Sequence, residues 1–370
     1  MKLTLCAPCL FGIEGILGAE LRRMGAENVR PENGRVLFDG DESMMARANL
    51  QSRYAERIQI LMGSFRAVSF EDLFQGVKAL PWEDFIGKND AFPVKGWSIG
   101  SVLHSVPDCQ SIVKKAIVER LKSAYRIDWF EESGALFQVQ FTIMKDEVSV
   151  LLDTSGMGLH KRGYRANSME APIKETLAAA IGDVMRVRTA EQVIDPCCGS
   201  GTLLIEAGLA AARIAPGIRR RFAAQGWECF DDAIWEAERE RAQSLERPDS
   251  ATRLLGGDID EKALALCREN ALKAGVSERL ETVCRDLREF KPEGDSGVVI
   301  CNPPYGERLG DVETARRLVR TMGQVFVPKK GWSYGIISPE EEFEQLFGRP
   351  ANKRRKLYNG MLKCQLYLYF

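Results

Sequence analysis

The residues with the most specific chemistry follow an apolar strand predicted at 298–301. Asn302, Pro303, Pro304 and Tyr305 come directly after that strand. Because prolines have no N–H donor, their carbonyls stay available as rigid acceptors. The Asn302 side-chain oxygen and the Pro303 carbonyl can together accept both hydrogens of one planar amino group, and Tyr305 supplies a flat face for stacking. The run therefore predicts a site that prepares an amino nitrogen to attack an electrophile, although an isolated Pro-Pro could also form a rigid turn.

A glycine-rich turn after an earlier strand predicts a ligand-binding loop. Asp195 follows the predicted strand 192–194 and opens the run Pro196, Cys197, Cys198, Gly199, Ser200, Gly201 and Thr202. Two glycines let the backbone approach a ligand at the N-terminus of the following helix. The run has neither the phosphate-loop nor the dinucleotide-binding spacing, and an aspartate at its start favours a cationic or amino-bearing ligand over a pyrophosphate. A purely structural turn is the alternative.

Two further predicted strands end in acidic residues. Asp258 can accept both hydroxyls of a ribose, with Ile259 beside an adenine face. Asp286, followed by Leu287, can accept adenine amino hydrogens or be an ordinary loop residue. Asp260 is the expected N-cap of the next helix. Because ligands of open parallel sheets bind at the carboxyl ends of the strands, the four signals predict one site.

These signals require strands and helices that alternate. From Pro172 onward, a predicted helix to about Val187 precedes short apolar strands with single helices between them, which indicates a parallel, doubly wound α/β sheet. The first half alternates short strands with single helices and ends in a hairpin around Lys145 and Asp146, which indicates an α+β layer of split βαβ type. The basic segment 156–168 is predicted to be a linker, either a solvated connector or a strap that contacts a phosphate backbone.

Length and composition limit the class of protein. The 370 residues, 45% hydrophobic and 28% charged, predict two or three ordinary globular domains. The 51 basic and 52 acidic side chains leave a net charge of −1, so a nucleic acid would have to be held by local patches. The ten cysteines and two histidines contain no paired metal-binding motif, which predicts a cytoplasmic protein with no metal. Cys6 and Cys9 could alternatively form half of a metal site. No apolar run approaches the ~20 residues of a membrane span.

The combined runs resemble a known family. DPCCGSGT, GGDID, a strand-end aspartate and NPPYGERLG are similar to the motifs of S-adenosylmethionine-dependent class I amino-methyltransferases. The runs DTSG, LHKRGYR and APIKETL are similar to those of RNA methyltransferases that carry an N-terminal THUMP domain. Within this group, the chain most resembles the bacterial family that makes N2-methylguanosine in large-subunit ribosomal RNA. The N-terminal part matches mainly in layout.

The resemblance implies a C-terminal Rossmann-fold class I methyltransferase, S-adenosylmethionine as cofactor and RNA as partner. It divides the chain into a ferredoxin-like segment (1–50), a THUMP RNA-binding domain (51–155), a basic linker (156–170) and a methyltransferase domain (171–370). It places Asn302, Pro303, Pro304 and Tyr305 at catalytic positions. The cofactor positions that it implies are Pro172, Lys174, Thr176, Asp195, Pro196, Cys198, Gly199, Ser200, Gly201, Thr202, Asp258, Ile259, Asp286, Leu287 and Asn302.

Three basic clusters are candidates for contacts with RNA phosphates, and each could instead be a solvated surface. Their members are Lys161, Arg162, Arg165, Arg219, Arg220, Arg221, Lys353, Arg354 and Arg355. We expect direct methyl transfer to a guanine N2 of a flipped-out base, and recognition of RNA shape by the N-terminal half. Removal of the first ~155 residues should then abolish methylation but not cofactor binding. The alternatives are transfer to tRNA, to adenine N6 of DNA or to protein glutamine, and cofactor and RNA binding without catalysis.

Overall fold

A computed structural model of the chain describes residues 1–165, 173–305 and 311–370. Pro172, which the resemblance assigns to the cofactor site, lies outside the described residues, as does part of the predicted linker. None of the described helices is long and apolar enough to cross a bilayer.

The N-terminal part forms a seven-stranded sheet with helices. Its elements are β1 (Leu3–Pro8), α1 (Glu14–Met24), β2 (Glu27–Glu32), β3 (Arg35–Gly40), α2 (Glu42–Gln51), β4 (Gln59–Arg66), α3 (Phe70–Lys78), β5 (Val94–Ile99), α4 (Val106–Tyr125), β6 (Val139–Met144) and β7 (Glu147–Asp153). The strand order is β2-β3-β1-β4-β7-β6-β5, and β5 and β6 are the parallel pair. Leu5 of β1 pairs with Ile60 of β4, so strand pairing continues across the boundary predicted after residue 50.

Side-chain caps fix where several helices begin. The Asp41 carboxylate accepts a hydrogen bond from the Met44 N–H at 2.8 Å before α2, and Ser69 and Asp72 form a capping box at the start of α3. Such caps satisfy N–H groups that have no partner within the helix. Buried residues of α1 to α4 share one hydrophobic core with the sheet. The four helices and the N-terminal sheet therefore pack around a single hydrophobic core.

The C-terminal part forms a second seven-stranded sheet. Its elements are α5 (Glu175–Val184), β8 (Gln192–Asp195), α6 (Thr202–Ala211), α7 (Ala233–Ser244), β9 (Arg253–Asp258), α8 (Glu261–Ala274), β10 (Leu280–Cys284), β11 (Gly297–Cys301), α9 (Asp311–Val325), β12 (Trp332–Ser338), α10 (Phe343–Phe347), β13 (Lys353–Asn359) and β14 (Leu362–Tyr369). The order is β10-β9-β8-β11-β12-β14-β13, with β14 antiparallel to both of its neighbours. The predicted fold class, an α+β region followed by a Rossmann-type sheet, is confirmed.

The strand order reverses at β8, because β9 lies on one side of it and β11 on the other. Open α/β sheets bind ligands at the carboxyl ends of their strands at such a switch point. Asp195 is the last residue of β8, so the first predicted site residue lies at this point. Asp260 caps α8 as predicted, since its carboxylate accepts a hydrogen bond from the Lys262 N–H at 2.9 Å.

The element boundaries differ from the prediction in several places. The strand predicted at 97–103 is β5, which ends at Ile99 because Gly100 takes a left-handed φ of +60°. The helix predicted from Pro172 to Val187 is shorter within the described residues, since α5 ends at Val184. No element is predicted from the sequence at α7, α9, α10 or β13.

Candidate active site

A tight glycine turn follows β8 and leads directly into α6. Gly199 and Gly201 have φ values of +51° and +83°, in the left-handed region that favours glycine. A Cβ on Gly201 would lie 2.3 Å from the Cys267 sulfur of α8, so this helix leaves no room for a side chain. The Gly199 N–H donates to the Asp258 carboxylate at 2.8 Å, which joins the turn to the end of β9. The backbone predicted to hold a cofactor is therefore fixed by two neighbouring elements.

A buried carboxyl group without a basic partner lies at the start of this turn. Asp195 is 2% exposed, and burial raises its pKa to about 8. The Cys197 N–H, which donates to it at 3.1 Å, opposes this rise, whereas the nearby Asp258 carboxylate adds to it. No basic side chain is among the groups that act on this pKa. A ligand ammonium group would offset the cost of ionising Asp195, so the residues present fit a cationic, amino-bearing ligand.

The ends of β9 and β10 provide further candidate contacts. Ile259 is 74% exposed, so its side chain is free to contact a flat ring, and Leu287 is buried. The Asp286 carboxylate accepts hydrogen bonds from the Arg288 N–H at 2.8 Å and from its guanidinium at 2.7 Å. These bonds lower the pKa of Asp286 to about 2. The role of Asp286 as an acceptor for adenine stays a prediction, in which an adenine amine would share the carboxylate with Arg288.

Asn302 and its neighbours lie at the same edge of the sheet as Asp195. β11 pairs in parallel with β8, with Val299 opposite Ile194, so the carboxyl ends of the two strands are adjacent. Pro303 is buried and Pro304 is exposed. The structure therefore brings together two of the motifs that the sequence singled out, although more than a hundred residues separate them along the chain.

Tyr305 contacts the predicted amine-binding group. Its hydroxyl donates to the side-chain oxygen of Asn302. Burial raises the pKa of Tyr305 well above its ordinary value, so the hydroxyl stays protonated and remains a donor. The oxygen predicted to hold a target amine is thus bonded to the protein itself in this structure. The Tyr305 hydroxyl occupies one of the two acceptor positions of this oxygen, and the other can accept an incoming amine.

A polar cavity of about 460 Å³ opens beside this run. Pro303, Pro304 and Tyr305 form one wall, and Arg316 faces acidic residues that follow β12. The Arg316 guanidinium bonds Glu340 at 3.0 and 3.2 Å. The volume lies within the range of ordinary small-ligand sites. The cavity is therefore large enough for a planar ring, and Pro303, the neighbour of Asn302, forms part of its wall.

Three known families match consecutive parts of the chain. Residues 162–367 match the family described as "RMKL-like, methyltransferase domain". Residues 4–59 match the RlmL ferredoxin-like domain and residues 67–153 match the THUMP domain. The chain belongs to the RMKL-like methyltransferase family. The family resemblance found in the motifs is therefore confirmed.

Two curated proteins are similar to this RMKL-like methyltransferase. It is 42% identical to "Putative RNA methyltransferase YpsC" of Bacillus subtilis (strain 168), over 100% of this chain and 96% of that protein. It is 32% identical to "Ribosomal RNA large subunit methyltransferase K/L" of Psychromonas ingrahamii, over 99% of this chain. The chain spans only 50% of the latter protein.

A solved structure of a similar chain contains a product of the cofactor. The structure described as "SMU.472, a putative methyltransferase complexed with SAH" is 41% identical, with a TM-score of 0.94 over 100% of this chain and 98% of that one. The RMKL-like methyltransferase described here uses S-adenosylmethionine as its cofactor. Among its described residues, no group of three or more His, Cys, Asp or Glu side chains could hold a metal ion.

Lys174 and Thr176 contact a residue that the sequence did not predict. The Thr176 hydroxyl donates to the Glu56 carboxylate at 2.6 Å, and the Lys174 Nζ lies 3.2 Å from it. Glu56 lies between α2 and β4, 118 residues before Lys174. No local sequence signal could have found this contact, because it depends on how the two sheets pack. A contact of Lys174 and Thr176 with the cofactor stays a prediction.

The prediction that Arg162 and Arg220 contact RNA is wrong. Both side chains are buried, and their guanidinium groups donate to backbone carbonyls, Arg162 to Leu159 at 2.8 Å and Arg220 to Gly158 at 3.1 Å. A guanidinium enclosed in this way cannot reach a phosphate. Arg165 is also largely enclosed, with 14% of its side chain exposed. Within the described part of the predicted linker, Arg162 and Arg165 are therefore internal to the fold, whereas Lys161 is exposed.

The remaining basic candidates lie at the surface of this family member. Lys161, Arg221 and Lys353 are exposed. Arg219 is exposed and donates to a backbone carbonyl, and Arg354 pairs with Glu344 at 2.6 Å. The half-buried Arg355 donates to the Gly12 carbonyl at 2.9 Å. Their contacts with RNA stay predictions.

Proposed function

We propose that this chain transfers a methyl group from S-adenosylmethionine to the exocyclic N2 of a guanine in large-subunit ribosomal RNA. The observation that carries the proposal is the position of Asn302 and Pro303, at the end of β11 beside Asp195. RNA as the substrate is supported by the THUMP domain at residues 67–153 and by the names of both curated relatives. The ribosomal guanine rests on the family resemblance and on the more distant relative, of which the chain spans half.

The residues at the switch point suit the two ends of the cofactor. Asp195 would hold its ammonium group, Asp258 its ribose hydroxyls, and Ile259 would lie against its adenine. When bound, S-adenosylmethionine would supply an electrophilic methyl group on a sulfonium. Transfer forms the N–C bond and breaks the S–C bond, S-adenosylhomocysteine leaves as the thioether, and the surplus proton of the amine passes to water. The protein's task is then mostly to align the reactants. Neither a covalent enzyme intermediate nor a general base is needed to explain the arrangement of Asn302 and Asp195.

The target base would enter the cavity beside Tyr305 after flipping out of its helix. The Asn302 side-chain oxygen and the Pro303 carbonyl would accept the two hydrogens of the amine. This arrangement favours a pyramidal nitrogen whose lone pair faces the methyl group. The ring of Tyr305 would stack on the base, while its hydroxyl occupies the other acceptor position of the Asn302 oxygen. The exposed residues Lys161, Arg221 and Lys353 are then candidates for phosphate contacts.

Nucleoside mass spectrometry of ribosomal RNA and tRNA, with and without the gene, tests this proposal. We expect N2-methylguanosine to disappear from large-subunit ribosomal RNA alone and to return with the wild-type gene. A loss confined to tRNA would make tRNA the substrate. A change in N6-methyladenine without a change in N2-methylguanosine would contradict the proposed chemistry.

The Asn302→Ala variant tests the role of the amine-binding group. We expect turnover to fall by about a hundredfold or more, since preorganised polar contacts commonly contribute that much. Affinity for S-adenosylhomocysteine, measured by calorimetry, should stay within severalfold of the wild type. An equal loss of turnover and of cofactor affinity would contradict this role for Asn302.

A further inference from the structure

The strap, which consists of residues 159–165, packs along α6. The buried Arg162 lies with its Nε 3.4 Å from the Glu206 carboxylate of α6, and the Tyr164 hydroxyl donates to the same carboxylate at 3.2 Å. Arg162 also donates to the Arg53 carbonyl at 2.5 Å. Glu206 is fully buried. The strap therefore joins the methyltransferase sheet to the N-terminal region through buried polar contacts.

Arg165, at the end of the strap, links the first residues of α5 and α6. One terminal nitrogen donates to the Thr202 hydroxyl at 2.6 Å and to the Ile173 carbonyl at 3.3 Å. The other lies 3.4 Å from the buried Glu175 carboxylate. Thr202 is the first residue of α6 and directly follows Gly201. One guanidinium thus fixes the end of the glycine turn relative to α5.

Glu56 holds the same end of α5 from the N-terminal region. It accepts the Thr176 hydroxyl at 2.6 Å, and the Lys174 ammonium lies 3.2 Å away. His160 of the strap lies 3.1 Å from it. Burial alone would raise the pKa of Glu56, but His160, Thr176 and Lys174 outweigh burial and lower this pKa to about 2. Glu56 is therefore ionised at neutral pH, and one carboxylate of the N-terminal region contacts both α5 and the strap.

The contacts form a continuous series from the N-terminal region to the glycine turn. Glu56 bonds Thr176 of α5, Arg165 bonds both the backbone just before α5 and Thr202, and Thr202 ends the turn. We infer that Arg165 and Glu56 are positioning residues for the methyl-donor site, the 195–202 turn. Through these two residues, cofactor affinity depends on the docking of the N-terminal region. The inference rests on the proposed assignment of the 195–202 turn to the cofactor.

The turn is sensitive to such positioning because it has little freedom of its own. Gly201 is left-handed and lies against Cys267, so the turn cannot relax toward α8 if Thr202 moves. Small displacements of groups that position a reactant can reduce rates strongly. A role for Arg165 in RNA binding is disfavoured, because both of its terminal nitrogens are engaged inside the fold.

Calorimetric titration of the full chain with S-adenosylhomocysteine tests the inference. Arg165→Lys keeps the positive charge but loses the two terminal nitrogens of the guanidinium group. We expect affinity for S-adenosylhomocysteine to fall about tenfold, which is the effect of one charge-assisted hydrogen bond. Glu56→Gln keeps the shape but not the charge, and should lower affinity about fivefold, although Glu56 does not touch the glycine turn. Arg213→Lys is the control, since Arg213 is exposed just after α6 and its side chain forms no hydrogen bond within the described residues.

A structural defect is separated from a positioning defect by kinetics and unfolding. We expect Arg165→Lys and Glu56→Gln to raise the KM for S-adenosylmethionine, with RNA affinity close to that of the wild type. The unfolding midpoint of the ligand-free Glu56→Gln protein should fall, because the ionised carboxylate stabilises the fold, but both variants should remain fully folded at the temperature of the titration. The inference is overturned if Arg165→Lys has the same affinity for S-adenosylhomocysteine as the control Arg213→Lys. It is also overturned if Glu56→Gln retains wild-type affinity for this ligand. The titration contains no RNA, so an error in the proposed guanine target would leave its result unchanged.

Discussion

Tyr305 combines a ring and a hydroxyl that are expected to affect catalysis differently. The hydroxyl occupies one acceptor position of the Asn302 oxygen, whereas the ring is the surface on which we propose that the base stacks. Tyr305→Phe should therefore keep or raise turnover. Tyr305→Ala should lower kcat/KM for RNA by about 10- to 100-fold, since stacking contributes ~1–3 kcal/mol per base. Methyl-transfer assays check this, with S-adenosylhomocysteine affinity as the control, and equal damage by both substitutions would contradict it.

Asp195 predicts a pH dependence for cofactor binding. Burial raises its pKa to about 8, so the ligand-free protein holds a proton there at neutral pH, and an ammonium ligand has to expel it. Affinity for S-adenosylhomocysteine should rise with pH up to about 8, by at most about tenfold per pH unit. In Asp195→Asn the dependence should flatten and affinity at pH 8 should fall. Wild-type affinity that does not change between pH 6 and 8 would contradict this assignment.

The same pKa predicts how Asp195 affects stability. Between its ordinary value of 3.8 and about 8, the folded protein binds the Asp195 proton and the unfolded chain does not. The contribution of Asp195 to the free energy of unfolding is therefore fully present below about pH 4 and is lost as pH rises toward 8. Comparison of wild type with Asp195→Asn in denaturant unfolding at several pH values should reveal this slope. A difference that does not vary with pH would contradict the raised pKa.

At the scale of elements, the glycine turn depends on its packing against α8. Gly201→Ala would place a Cβ 2.3 Å from the Cys267 sulfur at a φ of +83°. We expect a loss of ~1–3 kcal/mol in the free energy of unfolding and a marked loss of S-adenosylhomocysteine affinity. Gly15→Ala in α1 is the control, because its Cβ meets nothing within 4 Å and alanine is the better helix former by ~0.5–1 kcal/mol. Equal behaviour of the two variants in urea unfolding would contradict this account.

Elements with local signals could be predicted, and contacts between elements could not. Asp41 and Asp260 cap helices as expected, because capping needs only the next few residues. The helical spacing of the apolar residues in α9 was a usable signal that the prediction omitted. The dense positive charge at the start of β13 concealed its strand character, which depends on pairing with β14. Strand-end residues such as Asp195 and Asn302 could be grouped from the sequence, since parallel strands end at one edge.

The burial of the strap shows what composition cannot reveal. Lys161 and Arg162 are neighbours in one basic run, yet Lys161 is exposed and Arg162 is enclosed against Glu206. Both charges can be read from the sequence, but which of the two side chains lies at the surface and which in the interior cannot. For the same reason, Glu56 carried no signal of its own, because its partners lie more than a hundred residues away. Predicting these contacts requires knowledge of how the two sheets dock.

At the scale of the whole molecule, the two sheets are joined by a shared interior. One hydrophobic core contains Leu5 of β1, Leu50 of α2, Leu204 of α6 and Leu366 of β14. The buried Arg53 donates to the carbonyls of two residues in and after α6, at 3.0 and 2.8 Å. The sequence predicted that removal of the N-terminal half would leave cofactor binding intact. The shared core and the contacts of Glu56 argue against that independence.

The chain should therefore unfold as one unit, and a fragment of residues 156–370 should not behave as a stable enzyme half. Removing residues 1–155 exposes the apolar residues that face Leu5 and Leu50, and leaves Arg162 buried beside Glu206 without the Arg53 carbonyl. Unpaired buried polar groups and exposed core surface are each costly. We expect a single calorimetric transition for the full chain, and for the fragment strong binding of a hydrophobic dye with loss of S-adenosylhomocysteine affinity. Two resolved transitions in the full chain would show that the halves unfold independently. A fragment that melts cooperatively and binds S-adenosylhomocysteine as the full chain does would show in addition that Glu56 plays no part in the methyl-donor site.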